Sequence, residues 1–169
     1  MTTTENRIYV ADLKDYNEGH LCGFWLDLNS KDSEDIQTEI SDFLKRRTKE
    51  TNELHEEYAI HDYELPFTIS EWPDFDDLVE TLEAIEEHGE AYEAYQNNQN
   101  GNGTLEHFEN SYCTCTDDLK EYAVDSFIEL NNIDDHVRSY LDEDHILYNF
   151  EIENTTIEYN GTYYIFYDC

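Results

Sequence analysis

Two short stretches of the 169-residue chain concentrate side chains that carry chemistry. His61-Asp62-Tyr63-Glu64 holds an imidazole, a phenol and two carboxylates, the groups used to move protons or grip a metal ion. On a strand, His61 and Tyr63 share one face and Asp62 and Glu64 the other, so the four do not converge. Among 42 Asp and Glu residues such groupings also arise by chance. Cys113-Thr114-Cys115, close to His107, hints at metal ligation, but zinc needs four converging ligands. No second Cys pair or His-x3–5-His completes the set. Cys22, Cys113, Cys115 and Cys169 are therefore expected to be ordinary reduced thiols. With no P-loop, glycine-rich dinucleotide loop, Gly-x-Ser-x-Gly or His-Glu-x-x-His, no catalytic residue, cofactor or metal is expected.

The acids themselves are the third candidate. Glu80, Glu83 and Glu87 follow the helical i, i+3 and i+4 spacing, as do Glu83, Glu86 and Glu90 if the phase survives Gly89. Like charges so placed repel by about 0.2–0.5 kcal/mol per pair. One such helix is a solvated face. This chain, however, has net charge −33, and residues 50–169 hold 32 acids against two bases, Lys120 and Arg138. A helical row sets carboxylates about 4.5–6 Å apart along the axis, the scale of phosphate spacing on a nucleic-acid strand. Duplex DNA carries one charge per roughly 1.7 Å, so this charge matches about 56 Å of duplex. A compact globule of this length has a radius of gyration of only about 15 Å, so presenting charge at that density calls for an elongated chain of small units.

The charge excludes attraction to nucleic acid or to an anionic membrane. No apolar run reaches the roughly 18–20 residues of a spanning helix, and Met1–Asn6 lacks a basic-then-apolar signal pattern, so the cytoplasm is the expected compartment. Fourteen Tyr, eight Phe and two Trp argue for a folded protein despite the charge. Lys45, Arg46, Arg47 and Lys49 form the one basic cluster, as suits a helix C-terminus.

The elements read as an α+β fold in three units. In the first, residues 1–70, strands are predicted over Arg7–Leu13, Leu21–Leu28 and Glu57–Tyr63. Tyr16–Gly19 makes a turn, and a helix capped by Ser33 carries Ile36, Ile40, Phe43 and Leu44 inward. The second, residues 71–103, has a helix capped by Asp74 with Phe75, Leu78, Val79, Leu82 and Ile85 in one stripe. It stops at Gly89, and a shorter helix over Glu90–Tyr95 and a polar connection over residues 97–103 follow. The third, residues 104–169, has a helix capped by Thr116, a shorter helix over Asp134–Leu141 and a strand with Ile146, Tyr148, Phe150 and Ile152 alternating. It closes with a hairpin whose two-residue turn is Asn160-Gly161.

Arg7-Ile-Tyr-Val-Ala-Asp-Leu13, Tyr16-Asn-Glu-Gly19, Gly23-Phe-Trp-Leu-Asp27 and Glu57-Tyr-Ala-Ile-His-Asp-Tyr-Glu64 resemble the ArdA antirestriction family. Glu86-Glu-His-Gly-Glu-Ala-Tyr92, Phe108-Glu-Asn-Ser-Tyr112 and Asp118-Leu-Lys-Glu-Tyr-Ala123 continue the match in family order. The resemblance implies a DNA mimic: an elongated, curved homodimer of three-domain chains that occupies the DNA-binding groove of type I restriction-modification enzymes and is carried by plasmids, transposons or phages. The family's antirestriction segment falls at about residues 127–142, where Arg138-Ser-Tyr-Leu-Asp142 fits. Asp134 stands where a proline is usual, and Tyr148-Asn149 where an Arg-Asp pair is. Residues 43–56 have no firm counterpart.

The expected mimic surface comprises Asp76, Asp77, Glu80, Glu83, Glu86, Glu87, Glu90, Glu93, Glu106, Glu109, Asp117, Asp118, Glu121, Asp125 and Glu129. The expected dimer contact lies in the last unit, with Phe127, Ile128, Tyr140, Tyr148 and Phe150 as candidates. The competing functions are an acidic module or chaperone for a basic protein, a metal-dependent enzyme around His61 and Asp62, and a halophile surface.

Overall fold

A computed structural model describes residues 5–167, an α+β protein in two compact units, one ending at Glu87 and the other beginning at His88. In the first, β1 (Arg7–Asp12) is the centre of a three-stranded antiparallel sheet, flanked by β2 (Gly23–Asp27) and β3 (Tyr58–Glu64). A short helix α1 (Leu13–Asn17) takes the end of the predicted first strand and the start of the predicted turn, because Asp12 Oδ1 accepts the amides of Lys14 and Asp15 and caps it. The chain then turns through Gly19, at φ 85°.

Helix α2 (Ser33–Thr51) and helix α3 (Phe75–His88) supply the rest of the first core. Ile36, Ile40, Phe43 and Leu44 of α2 and Phe75 and Leu78 of α3 pack with Ile8, Val10, Leu26 and Ile60 of the sheet. The apolar stripes read from the sequence are thus the buried ones. The α2 cap is Asp32, not Ser33: its carboxylate accepts the Asp35 amide, while the Ser33 hydroxyl donates to Asp76. Asp74 caps α3 as expected, accepting the amides of Asp76 and Asp77.

The second unit contains α4 (Glu90–Asn98), α5 (Leu105–Ser111), β4 (Tyr112–Thr116), α6 (Leu119–Leu130), a 3₁₀ turn over Asp135–Tyr140, α7 (Glu143–Glu153), β5 (Asn154–Tyr159) and β6 (Thr162–Tyr167). The sheet is antiparallel in the order β4-β6-β5. The Asn160-Gly161 turn is as predicted: both residues have positive φ, 51° and 85°, as a type I′ turn requires. Tyr92, Tyr95, Phe108 and Phe166 form an aromatic core, with the Tyr92 and Phe108 rings edge-to-face at 4.9 Å. Val124 and Ile128 of α6 and Ile146 of α7 make a second cluster.

Three expectations for this unit are corrected. Ile146–Ile152 lies in helix α7 rather than a strand. Asp142 accepts the His145 amide, Glu143 and Asp144 suit the first turn, and Ile146 and Phe150, four apart, face inward while Tyr148 and Ile152 face solvent. The helix over Asp134–Leu141 is a 3₁₀ turn. The α6 cap is Asp118, which accepts the Glu121 amide, while Thr116 ends β4, a strand absent from the sequence reading.

Candidate functional site: an acidic surface

The core packing of α3 decides where its acids go. With Phe75, Leu78 and Ala84 buried and Val79, Leu82 and Ile85 against the core, Asp76, Asp77, Glu80, Glu83, Glu86 and Glu87 are all exposed. The same logic holds in the second unit. Burial of Phe108 turns Glu106 and Glu109 outward, and burial of Leu119, Ala123 and Val124 does so for Glu121, Asp125 and Glu129. Asp117 and Asp118, before α6, are exposed too.

Few of these carboxylates are neutralised. Asp125 pairs with Arg138, and Glu109 lies 3.9 Å from His88. Asp77, Glu80, Glu83, Glu86, Glu87, Glu106, Glu121 and Glu129 make no ion pair among the described residues. Glu90 and Glu93 are tied to their own sheet: Glu90 accepts from the Tyr164 hydroxyl and the Asn160 amide, and Glu93 accepts from the Tyr159 hydroxyl, each at 3.3 Å. Glu93 is half-buried, and burial, reinforced by the neighbouring Glu90 charge, holds its carboxyl above the ordinary range despite the Tyr159 bond. Burial and the Glu90 charge push the Tyr164 phenol up to about 12.

The stretches that suggested catalysis are put to other uses. A register shift between Tyr9 and Val10 makes His61 the extra residue of a bulge in β3, because Ile60 pairs with Val10 and Asp62 with Tyr9. His61 is exposed, its ring edge-on to Tyr16 at 4.6 Å, Asp62 accepts the Tyr63 amide, and Glu64 holds Arg7. Tyr63 packs on the core. Cys113 sits on β4 in contact with the hydroxyls of Tyr122 and Tyr167, whereas the His107 ring bonds the Tyr95 hydroxyl at 3.0 Å. Cys22, Cys113 and Cys115 are free thiols, and Cys169 lies outside the described residues.

One cluster escaped the sequence reading. Asp12, Asp15 and His55 are buried, with ligand-type atoms within 4.8 Å of one another. Their valences are filled. Asp12 Oδ2 lies 2.5 Å from His55 Nδ1, His55 Nε2 meets the Thr51 hydroxyl at 2.9 Å, and Asp15 accepts two hydrogen bonds from Arg47 at 2.7 and 2.9 Å. The Arg47 guanidinium already supplies the positive charge a metal ion would bring. The cluster is a structural clamp that fastens α1 and the β1 end to α2, and nothing local in sequence announces it, since Asp15 and Arg47 are 32 positions apart and Asp12 and His55 are 43.

The apolar dimer candidates divide. Tyr140 and Tyr148 are 84% and 61% exposed, and Phe127 is 37% exposed. Phe150 is half-buried, its ring edge-on to Tyr122. Phe127 and Phe150, with Leu130 and Tyr167, line a cleft of about 850 Å³ beside α6 and α7, and Ile128 lies beneath in the core. No helix among the described residues is long and apolar enough to cross a membrane.

A family model described as antirestriction protein (ArdA) matches residues 8–165 of the chain. No curated protein matches it.

Proposed function

Because the chain belongs to the ArdA antirestriction family, we propose that it is a non-enzymatic DNA mimic that inhibits type I restriction-modification enzymes by filling the DNA-binding groove of the methyltransferase core. The observation that carries this reading is that each unit exposes carboxylates with few ion-pair partners, on α3 in the first and on α5 and α6 in the second. Fixed by a packed core, these acids offer a basic groove a ready-made anionic surface. The groove's lysines and arginines then exchange phosphate for carboxylate, and electrostatic steering speeds the encounter. Function is spread over many acids, so no single one dominates.

The working form is a cytoplasmic homodimer joined through the second unit by Phe127, Tyr140, Tyr148 and Phe150, with Ile128 supporting them from below. Two chains of net charge −33 repel, so the contact is substantially apolar and strengthens as salt screens the repulsion. The deciding experiment is competition. The protein should displace labelled duplex from a type I methyltransferase core in proportion to its concentration, and displacement should weaken as salt rises. A protein that leaves the duplex bound at low salt overturns the mimicry.

A further inference from the structure

Ile8, Val10, Leu26 and Ile60 of the first sheet point into the core, so the residues that alternate with them on β1 and β2 point away from it. The register sets these outward residues in two rows across the three strands. In one row Arg7 stands between Asp27 and Glu64, and in the other Tyr9 stands between Trp25 and Asp62. The bulge at His61 completes both rows. Ile60 faces the core, and strict alternation would send Asp62 and Glu64 inward after it. The extra residue turns them outward instead, opposite Tyr9 and Arg7. Trp25, Asp27, Asp62 and Glu64 are exposed.

The Trp25 and Tyr9 rings meet edge-on, 5.5 Å apart. The Tyr9 ring lies low over Gly23, where even a Cβ would come within 2.7 Å of it. The Arg7 guanidinium sits 4.8 Å from the Trp25 ring centre while its nitrogens hold Glu64 at 2.6 and 2.9 Å and Glu5 at 3.3 Å. Glu5, Asp27, Asp62 and Glu64 thus stand around a single cation, and two of them already hold it. Asp27 and Asp62 make no ion pair among the described residues. Oδ1 of each accepts a neighbouring amide, from Asn29 and Tyr63 respectively, and Oδ2 is uncommitted among the described residues. Lys31 bonds the Asp27 carbonyl rather than its carboxylate, and pairs with Glu39. Uncommitted charge on this face is therefore negative, and it flanks two aromatic rings.

We propose that this sheet face docks an arginine-bearing segment of a protein partner, its guanidinium groups against Trp25 and Tyr9 and bonded to the free oxygens of Asp27 and Asp62. Arg7 displays the mode within the chain, since its one planar group serves an indole and a carboxylate together. A guanidinium does both because it is flat, weakly hydrated and carries its donors in a fixed fork, whereas a lysine ammonium is a compact, strongly hydrated point charge. The carboxylates on α3, α5 and α6 answer to charge alone. This face tells arginine from lysine, and it does so whether or not those helices mimic DNA.

The test uses the full chain, ¹⁵N-labelled, and a short peptide alternating arginine and serine, beside its lysine counterpart of equal charge. Salt is held at about 0.15 M, so that attraction to the chain's overall charge is screened beyond ~8 Å. Expected on adding the arginine peptide are shifts of the Trp25 indole and of amides 7–9, 23–27 and 61–64, with the exposed Trp72 indole as the internal reference. The arginine peptide should bind about threefold or more tightly than the lysine peptide. Trp25→Leu, which changes no charge, should abolish that preference with unchanged circular dichroism. Should it misfold, Asp27→Asn/Asp62→Asn keeps both amide acceptors, and it should weaken arginine-peptide binding by about threefold or more. Shifts centred on α3, α5 or α6, equal affinity for the two peptides, or a preference undiminished in either folded variant would overturn the proposal. Duplex displacement from the methyltransferase core is measured separately, so failure of one reading leaves the other standing.

Discussion

Asp12 Oδ2 lies 2.5 Å from His55 Nδ1, both side chains being essentially inaccessible to solvent. The same carboxylate caps α1 with its other oxygen. Asp12→Ala should therefore strand the imidazole and two amides together and cost ~3 kcal/mol. Urea unfolding checks it, and a loss below 1 kcal/mol would show that the pair holds little.

Asp15 and Arg47 make the fold sensitive to acid. Burial acts to raise the Asp15 carboxyl, but the Arg47 bonds and the Cys22 thiol more than offset it, and the group titrates below its ordinary value. An acid with its folded value depressed stabilises fully above its unfolded value, near 4, and loses that contribution as pH falls through the folded value. At pH 7 Asp15→Asn should be less stable by ~2 kcal/mol. The gap should narrow steadily below about pH 4. A gap independent of pH in urea melts would rule this out.

Glu93 works in the opposite sense. Its carboxyl is raised by burial, so the folded state prefers it protonated, and the associated stability declines as pH rises through the folded value. Glu93→Gln keeps an acceptor for the Tyr159 hydroxyl and removes the repulsion from Glu90. It should stabilise the fold at pH 7 by ~0.2–0.5 kcal/mol from the Glu90 repulsion alone, read as a higher melting temperature, with no gain at pH 3. Equal melting temperatures at neutral pH would mean that the carboxylate is adequately solvated.

The distributed surface predicts shallow mutational effects on inhibition. Glu80→Gln, Glu83→Gln and Glu87→Gln should each weaken duplex displacement by ~5-fold or less, as for exposed ion pairs. Abolition by any one of them, with the fold intact, would replace the field with a discrete site.

The proposed dimer contact is best probed where the side chain is free of the core. Tyr148→Asp should leave circular dichroism unchanged and convert the protein to a monomer in sedimentation. A folded dimer would move the contact elsewhere. Phe150→Asp is less clean, because Phe150 packs on Tyr122.

The parts of the fold legible in sequence are those whose pattern is local. The Asn160-Gly161 turn needs two positive φ values, which this pair adopts readily. The α3 acids could be placed because Phe75, Leu78 and Leu82 recur at helical spacing and leave the acids no inward position. Helix α7 was obscured by Tyr148 and Ile152: apolar yet exposed, they complete a false two-residue alternation with Ile146 and Phe150. Strand β4 is five residues long and owes its existence to β6, whose Phe166 pairs with Tyr112 from far along the chain. The Asp12–His55 clamp is likewise a product of tertiary packing, with no periodic signature to give it away.

The strand order β4-β6-β5 has a consequence for the order of synthesis. All of β1–β3 and their covering helices lie within the chain up to His88, so the first sheet can close as soon as that stretch has left the ribosome. In the second sheet the last strand made is the central one. Until Thr162–Tyr167 emerges, β4 and β5 have no neighbour to bond, and the aromatic core lacks Phe166. The second unit must therefore wait as an unpaired, strongly anionic chain, whose self-repulsion keeps its exposed tyrosines and phenylalanines from finding those of another nascent copy.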